Sequence, residues 1–257
     1  MTTPLRTTNP DQAVWQAFDH AADSYDRASH LQHLSADALY ALIAVDGFVQ
    51  DQVVQSRLWL DAGCGTGVMA KKLAASGCSV LAVDQSPAML THIPEMSTIQ
   101  TLQADLRHLP LAAGSVDGVV SHFALHWLAP EAVLPELCRV VRPGGVLWLA
   151  LPVAGSLAAV QARYPALPVF DFAPATLWLE ALTRLPVDIL HVSEQLWSED
   201  YPNLRELLHS LKQMGGNRLG RAQQPVSPAC FRAMLRDEQP IMLEYQVLYL
   251  KLSVQSY

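Results

Sequence analysis

A glycine-rich segment with a carboxylate at its entrance is the part of the chain whose residue types could do chemistry. Three apolar or aromatic residues lead into Asp61, glycines follow at Gly63, Gly65 and Gly67, and a helical pattern begins at Val68. This order predicts a buried strand, a tight turn and the start of a helix. Glycine lets the backbone turn sharply and approach a ligand that a Cβ would exclude.

A second carboxylate, Asp84, follows the predicted strand Cys78–Val83 and lies about 20 residues beyond Gly63. A carboxylate at the end of the second strand can accept hydrogen bonds from both hydroxyls of a ribose. The glycine segment and Asp84 together predict a binding site for a cofactor that contains a nucleoside.

The spacing of the glycines bears on which cofactor is bound. A dinucleotide loop requires G-x-G-x-x-G, but Val68 stands at the third small position, and no Lys or Arg follows the glycines before Lys71. A carboxylate such as Asp61 repels phosphate and suits an amine or another cation. The alternatives are a dinucleotide site and a glycine-rich turn without function. The pattern D-x-G-x-G-x-G followed by an acidic strand end resembles motif I of the class I S-adenosylmethionine-dependent methyltransferases.

Later segments carry the same resemblance. Gln103–Asp105 supplies an acid after the third strand, Val116–Phe123 is typical of a fourth buried strand, and Leu137–Ala150 contains an Arg-Pro-Gly-Gly turn before a fifth strand. The resemblance covers about residues 55 to 155. It implies an α/β fold with a doubly wound, seven-stranded, mostly parallel, Rossmann-like sheet.

The resemblance also implies roles for individual residues toward S-adenosylmethionine. Asp61 and the glycines Gly63, Gly65 and Gly67 would hold its amino acid end, and Asp84 would take the ribose, with Gln85 at its edge. Met89 could pack on the adenine or belong to the core. Asp105 and Leu106 would flank the adenine, although Asp105 could instead cap a helix or a turn.

The hydrophobic patterns predict a helical lid over residues 1–50 and a methyltransferase domain over 51–257. The lid contains apolar-striped helices at residues 11–27 and Ser35–Val49. An insertion at about residues 198–226 precedes the last strand, and insertions near strand ends usually shape access to a site. The remaining predicted elements are a helix at Gly155–Ala162, a strand at Val187–Trp197, helices at Tyr201–Gln213 and Ser227–Asp237, and a final strand at Ile241–Val254.

Composition restricts the class of protein. The 257 residues are 51% hydrophobic, which is enough for one large α/β domain, and the net charge of −7 argues against general affinity for nucleic acid. The sequence shows no apolar run of about 18 residues and no apolar signal core, so we expect no membrane span and a cytoplasmic location. The four cysteines form no C-x-x-C pair, so we expect neither a metal site nor a disulfide framework.

The segment Ser121–Trp127, which follows the fourth strand, contains the candidates for the acceptor side. His122 and His126 are four residues apart and could act as bases, donate hydrogen bonds to an acceptor, or only line a wet pocket edge. A carboxylate acceptor would need no base, because its pKa is near 4. Tyr25 would belong to the lid and close over the methyl group, or lie on the surface.

Several segments resemble a narrower family, the malonyl-[acyl-carrier protein] O-methyltransferases of biotin synthesis. This resemblance implies methyl transfer to the free carboxylate of malonyl-acyl carrier protein, with Tyr25, His122 and Trp127 on the acceptor side. His122 departs from the residue expected there. The segments that carry the resemblance are Ala17–Asp26, His30–Leu39, Leu125–Trp127, Gly155–Leu157 and Leu207–Gly216.

Positively charged residues should bind the malonyl carboxylate and should also bind the carrier protein. A malonyl carboxylate should require a cationic fork from arginine, and Arg27, Arg163 and Arg218 all remain open. An acidic carrier protein should dock on a basic patch, unless that patch is only a solvated surface. The candidate docking face consists of Arg205, Lys212, Arg218 and Arg221.

Other functions remain possible from the sequence. One is a methyltransferase that acts on a quinone precursor or another small metabolite and needs no docking patch. Another is a dinucleotide-dependent reductase, which Val68 disfavours. A third is a protein that binds cofactor only as an assembly partner, against which the intact loop and the aromatic residues Phe123 and Trp127 argue.

Overall fold

Helices and strands alternate along the chain, as the hydrophobic patterns predict. The structure is a computed structural model that describes residues 10–46, 57–216 and 226–255. The helices are α1 (Pro10–Ala28), α2 (His30–Val45), α3 (Val68–Ala75), α4 (Pro87–Thr91), α5 (Pro130–Val140), α6 (Ala158–Arg163), α7 (Ala175–Leu182), α8 (Leu204–Gln213) and α9 (Pro228–Met234). The strands are β1 (Leu58–Ala62), β2 (Ser79–Asp84), β3 (Ile99–Gln103), β4 (Val116–His122), β5 (Val141–Val153), β6 (Val187–Tyr201) and β7 (Ile241–Val254).

The seven strands form one sheet in the order β3-β2-β1-β4-β5-β7-β6. Strands β1 to β5 are parallel to one another, and β7 runs antiparallel to both β5 and β6. The predicted doubly wound, seven-stranded, mostly parallel sheet is therefore confirmed.

Each face of the sheet buries its own hydrophobic core. Adjacent residues of a strand point to opposite faces, so Trp59 enters one core and Leu60 the other. The Trp59 core includes buried residues of α2, α3 and α8, and the Leu60 core includes residues of α5 and α7. Parallel strands covered on both faces read as nearly continuous apolar runs, which is why their positions were predictable.

Several predicted boundaries shift. Helix α2 begins at His30, five residues before the predicted start. Only Ser29 separates it from α1. Strand β6 continues to Tyr201, so α8 begins at Leu204, where the Asn203 side chain accepts a hydrogen bond from the Glu206 N–H. The predicted boundary between residues 50 and 51 lies outside the described residues.

The segment around Pro143 also differs from the prediction. Helix α5 ends at Val140 and β5 begins at the next residue, so the Pro-Gly-Gly sequence distorts a strand rather than joining two elements. Gly144 has a φ of +74°, which glycine adopts without strain. Helix α7, which was not predicted, buries Trp178 in the core under β5.

Candidate functional site

The predicted ligand-binding residues meet because β1 lies between β2 and β4. The strand order reverses between β1 and β4, so the connections after these two strands lead to opposite faces of the sheet and leave a crevice. Ligands of open α/β sheets bind at such a switch point, outside the carboxyl ends of the strands. We call this crevice the main cleft; it contains about 1150 Å³ of space free of protein atoms, its open mouth included.

The structure brings nearly all the predicted site residues to the main cleft. They come from helix α1, from the carboxyl ends of β1, β2 and β4, and from the segments that follow β1, β2, β3 and β4. The predicted residues that line it are Tyr25, Asp61, Gly63, Gly65, Asp84, Gln85, Met89, Asp105, Leu106, His122 and Trp127.

Asp84 organises the glycine loop. Its Oδ2 accepts a hydrogen bond from the Gly65 N–H at 2.9 Å, and its Oδ1 accepts one from the Ser86 N–H at 2.9 Å. Burial raises the pKa of Asp84, and these backbone hydrogen bonds oppose that rise. A carboxylate has about four lone-pair sites. The lone-pair sites that the backbone N–H groups leave free can accept hydrogen bonds from the hydroxyls of a ligand.

Asp61 is a buried carboxyl without a cationic partner among the described residues. It is 1% exposed, and its Oδ2 accepts a hydrogen bond from the Ala70 N–H at 2.8 Å. Burial raises its pKa to about 7, against the effect of that hydrogen bond, and the nearby Asp84 adds to the rise. A buried carboxyl of this kind at a cleft is ready to receive a cation.

Two predicted residues have structural roles. Gly67 does not line the main cleft: it precedes α3 with a φ of +82°, and its N–H donates to the Cys64 carbonyl. Asp105 lines the cleft but also pairs with Arg107, at 2.6 Å between Oδ2 and Nη2. This hydrogen bond from Arg107 lowers the pKa of Asp105. Asp105 therefore makes the contacts of a residue that caps a turn, which was the alternative to a role beside the adenine.

Helix α1 covers the main cleft through two carboxylates. The Asp26 Oδ1 accepts a hydrogen bond from the Thr66 hydroxyl at 2.5 Å, and the Asp19 Oδ1 accepts one from the Ser86 hydroxyl at 2.8 Å. Tyr25 lies between them in sequence and lines the cleft. Burial first, and then the charges of Asp84 and Asp26, raise the pKa of Tyr25, so its phenol stays protonated.

His122 takes part in a buried hydrogen-bond chain. Its Nε2 lies 3.2 Å from the Ser35 Oγ, which lies 2.7 Å from the Tyr249 hydroxyl, and the Trp197 indole N–H donates to the same tyrosine at 2.8 Å. Burial lowers the pKa of His122 to about 3, with the nearby His33 acting in the same direction. The neutral imidazole therefore connects the lid to the sheet.

A second cavity with mostly aromatic walls opens beside the main cleft. It contains about 590 Å³ of space free of protein atoms, and it shares Phe18, Tyr25, Gln32, Phe123 and Trp127 with the main cleft. We call it the aromatic chamber. The further residues that line it are His126, Pro152, Leu157, Phe170, Phe172, Leu211, Met214, Gly216 and Tyr245.

Sequence reasoning missed most of this chamber. Phe170 and Phe172 lie in a proline-interrupted stretch without a regular pattern, and Tyr245 lies on the last strand. The ring centroids of Trp127 and Phe170 are 4.7 Å apart, and those of Phe123 and Tyr245 are 5.3 Å apart. No local signal joins these segments, because only the antiparallel pairing of β7 with β5 brings Tyr245 beside the end of β4.

The expected arginine fork is not formed by two of its three candidates. Arg27 is exposed, and its Nη2 donates to the Asp23 carbonyl. Arg163 is also exposed and pairs with Asp237 at 2.9 Å. The third candidate, Arg218, lies outside the described residues. In the part of the chain that the structure describes, neither cavity is lined by a lysine or an arginine.

Residues 10–46, 57–216 and 226–255 contain no group of three His, Cys, Asp or Glu side chains that could hold a metal ion. Across the same ranges, no helix is long and apolar enough to cross a membrane.

The sequence and the fold both match known methyltransferases. Residues 60–149 match the family described as "Methyltransferase domain". A solved structure described as geranyl diphosphate methyltransferase in complex with SAM superposes with a TM-score of 0.53 at 16% identity, covering 86% of this chain and 85% of that chain. At this identity the likeness shows the fold alone.

Curated relatives are similar over most of the chain. The malonyl-[acyl-carrier protein] O-methyltransferase of Pectobacterium atrosepticum is 32% identical over 254 residues, which cover 93% of this chain and 94% of the relative. The protein of the same name from Alcanivorax borkumensis is 30% identical, covering 93% of this chain and 85% of the relative.

Proposed function

The chain belongs to the malonyl-[acyl-carrier protein] O-methyltransferase family, and from this premise we propose that it transfers a methyl group from S-adenosylmethionine to the free carboxylate of malonyl-acyl carrier protein. The observation that carries the proposal is the buried carboxyl of Asp61 and the half-buried carboxyl of Asp84 in a cleft that shares lining residues with the aromatic chamber. Such a cleft suits a cationic nucleoside, and the chamber suits an acyl group.

The residues of the main cleft fit S-adenosylmethionine. An added Cβ at Gly65 would meet no protein atom within 4 Å, so this backbone faces open space in which a ligand can lie. Asp84 would accept the ribose hydroxyls, and Asp61 would pair with the ammonium group. Met89 and Leu106 would flank the adenine, with Asp105 and Gln85 at the edge. The bound sulfonium would supply the activated methyl group.

The acceptor requires no general base. A malonyl carboxylate is ionised at neutral pH, because carboxyl groups of this kind have a pKa near 4. Burial lowers the pKa of both His122 and His126 to about 3, and their mutual proximity adds to this for His126. Both rings would therefore serve as neutral groups that position the acceptor or the lid. Much of the rate would come from holding the carboxylate and the methyl group close and collinear.

The chemistry of the proposed product, a neutral malonyl ester, gives the reaction a use. Methylation removes the charge of the malonyl carboxylate. A fatty-acid elongation pocket rejects an unpaired carboxylate, because burying a charge without a partner is costly. The neutral ester would pass as an ordinary acyl chain and could be extended into a pimeloyl skeleton for biotin.

Cofactor binding should release a proton from Asp61. With a pKa of about 7, this carboxyl is partly protonated at neutral pH, and the ammonium of the ligand would lower that pKa by several units. We expect calorimetry at pH 7, in two buffers of different ionisation enthalpy, to detect about half a proton released per cofactor bound. The release should disappear at pH 9 and in Asp61→Asn. An equal release in Asp61→Asn would assign the proton to another group.

Helix α8 is the best candidate for docking the carrier protein. Its buried side contributes Leu211 to the aromatic chamber, and Met214, which follows it, lines the same chamber. Arg205 and Lys212 are exposed on the other side. The Arg205 Nη2 donates to the Leu235 carbonyl, which places the end of α9 beside this surface. The other two residues of the proposed docking face, Arg218 and Arg221, lie outside the described residues.

Charge reversal on this surface should weaken the interaction with the carrier protein. We expect Lys212→Glu and Arg205→Glu each to raise the KM for malonyl-carrier protein about fivefold, because an acidic partner loses an attraction and meets a like charge. S-adenosylmethionine affinity and the KM for a small malonyl thioester should not change. Arg184→Glu is the matched control, since this exposed cation follows α7 on the opposite face of the sheet. An unchanged KM in both docking variants would contradict the assignment.

Single-turnover mass spectrometry tests the proposed function itself. The protein is mixed with S-adenosylmethionine and malonyl-carrier protein, and the expected result is the gain of one methyl group on the malonyl moiety. Cofactor binding without any transfer would overturn the proposed acceptor and favour a small-metabolite methyltransferase.

A further inference from the structure

Two polar atoms in the wall of the aromatic chamber are buried and have no partner. They are the indole Nε1 of Trp127 and the Nδ1 of His126, and neither makes a hydrogen bond in the described structure. Native proteins leave few buried polar groups unpaired, because a buried donor or acceptor without a partner destabilises the fold. The indole nitrogens of Trp148 and Trp178 also have no partner, but neither residue lines the main cleft or the aromatic chamber. Trp127 and His126 both line the chamber, and their ring centroids are 4.7 Å apart, so a single ligand there can supply acceptor oxygens to both.

The position of Trp127 fits the place where a methyl group would cross. Trp127 lines both the main cleft and the aromatic chamber, and His126 lines the chamber alone. The Phe170 ring packs against both, with centroids 4.7 Å from Trp127 and 5.8 Å from His126. A group bound to these two residues would therefore lie in the chamber with one end toward the cleft.

The charge around this position is unusual for a carboxylate site. Within the described ranges, no lysine or arginine lines the chamber. Burial lowers the pKa of His126 to about 3, so its ring is neutral and can carry its single proton on either nitrogen. The nearby Tyr25 and Tyr245 have pKa values raised by burial, so both are neutral hydroxyls. From the described residues, a carboxylate here would find hydrogen-bond donors but no fixed positive charge.

We propose that Trp127 and His126 form a receptor without charge for the carboxylate of the acceptor, whose counter-ion is the sulfonium of the methyl donor. This inference rests on the proposed function and names the residues that select the acceptor. Trp127 would donate its indole N–H to one carboxylate oxygen, and His126 would donate from Nδ1 to the same group. One carboxylate oxygen would remain turned toward the main cleft.

Such a receptor suits a reaction that removes charge. A lone pair of the carboxylate oxygen forms the bond to the methyl carbon, while the carbon–sulfur bond breaks and leaves its electron pair on sulfur. No proton moves, and the negative and positive charges both vanish. Surroundings of low polarity strengthen the attraction of the reacting pair. An arginine at this position would stabilise the reactant carboxylate more than the transition state and slow the reaction.

The test compares the charged acceptor with its neutral ester. Affinities of malonyl-carrier protein and of its methyl ester are measured by calorimetry with protein saturated with sinefungin, an analogue whose ammonium replaces the methylsulfonium. We expect Trp127→Phe and His126→Phe to weaken binding of the carboxylate about tenfold each and of the ester less than about twofold, since a hydrogen bond to a charged group is lost. Phe170→Leu is the matched control and should weaken both by the same factor.

A second measurement uses the unaltered protein. Replacing sinefungin by S-adenosylhomocysteine, which carries no charge at sulfur, should weaken binding of the carboxylate about tenfold and leave that of the ester unchanged. If both aromatic variants keep the wild-type ratio of the two affinities while the unaltered protein still methylates malonyl-carrier protein, the receptor is wrong and the proposed function stands. If the unaltered protein neither binds nor methylates malonyl-carrier protein, both are overturned.

Discussion

Gly65→Ala is expected to fold and to lose cofactor binding. Gly65 has a φ of +53°, and its added Cβ would meet no protein atom within 4 Å. The cost to folding is therefore only the left-handed backbone of alanine, about 1–2 kcal/mol. The methyl group would instead occupy the open side of the loop, where the proposed ligand approaches. We expect the affinity for S-adenosylmethionine to fall at least about 100-fold, because a close backbone approach is lost.

Gly63→Ala is the matched comparison, and it should damage the fold itself. Its Cβ would lie 2.2 Å from the Ala124 Cβ, and its φ of +73° adds strain. We expect a loss of about 3 kcal/mol or more, from forced backbone movement together with the left-handed conformation. Thermal unfolding and cofactor titration of both variants check the pair. Tight cofactor binding by a folded Gly65→Ala protein would show that the ligand does not approach this loop.

Asp84→Ala is expected to abolish measurable cofactor binding. The variant loses the carboxylate oxygens proposed to accept the ribose hydroxyls and also the hydrogen bonds that Asp84 accepts from the Gly65 and Ser86 N–H groups. Loss of these charged hydrogen bonds should lower the affinity for S-adenosylmethionine by about 100-fold or more. Leaving two backbone N–H groups without their partner should also destabilise the fold by about 1–3 kcal/mol.

Asp84→Asn separates these two effects. Asparagine keeps the shape, but only one of its two terminal atoms accepts hydrogen bonds, so it can serve either Gly65 or Ser86 and not both. We expect a smaller loss of stability and an affinity between those of the wild type and of Asp84→Ala. Equilibrium unfolding and isothermal titration measure the two quantities. Wild-type affinity in Asp84→Asn would exclude the carboxylate as the ribose acceptor.

The parts of the fold that could be predicted from sequence are those with a strong local pattern. Strand β7 and helix α3 have the predicted bounds, Ile241–Val254 and Val68–Ala75. Both have unbroken apolar periodicity next to turn residues. Helix α7 was missed because the prolines before it conceal a short helix whose packing depends on Trp178. The extension of β6 to Tyr201 depends on its partner β7, which pairs along the whole strand.

The residues of the candidate site also fall into those that a local sequence pattern predicts and those that it does not. Asp61, Gly63, Gly65 and Asp84 could be placed at the cleft from sequence, because one strand–turn–helix segment and the next strand hold them. Gly67 precedes α3 instead of lining the cleft, and it lies so close to Ile93 that an added Cβ would be 2.8 Å from the Ile93 Cγ1. Sequence spacing does not report such a contact.

The sheet, the candidate cofactor loop and the family were therefore predictable, since each depends on periodicity or on residues close in the chain. The proposed acceptor side became visible only in the folded structure. The aromatic chamber collects α1, the end of β4, the stretch around Phe170, helix α8 and β7, which are far apart in sequence. The neutrality of His122 and His126 has the same origin, because burial sets their pKa and depends on packing by distant segments.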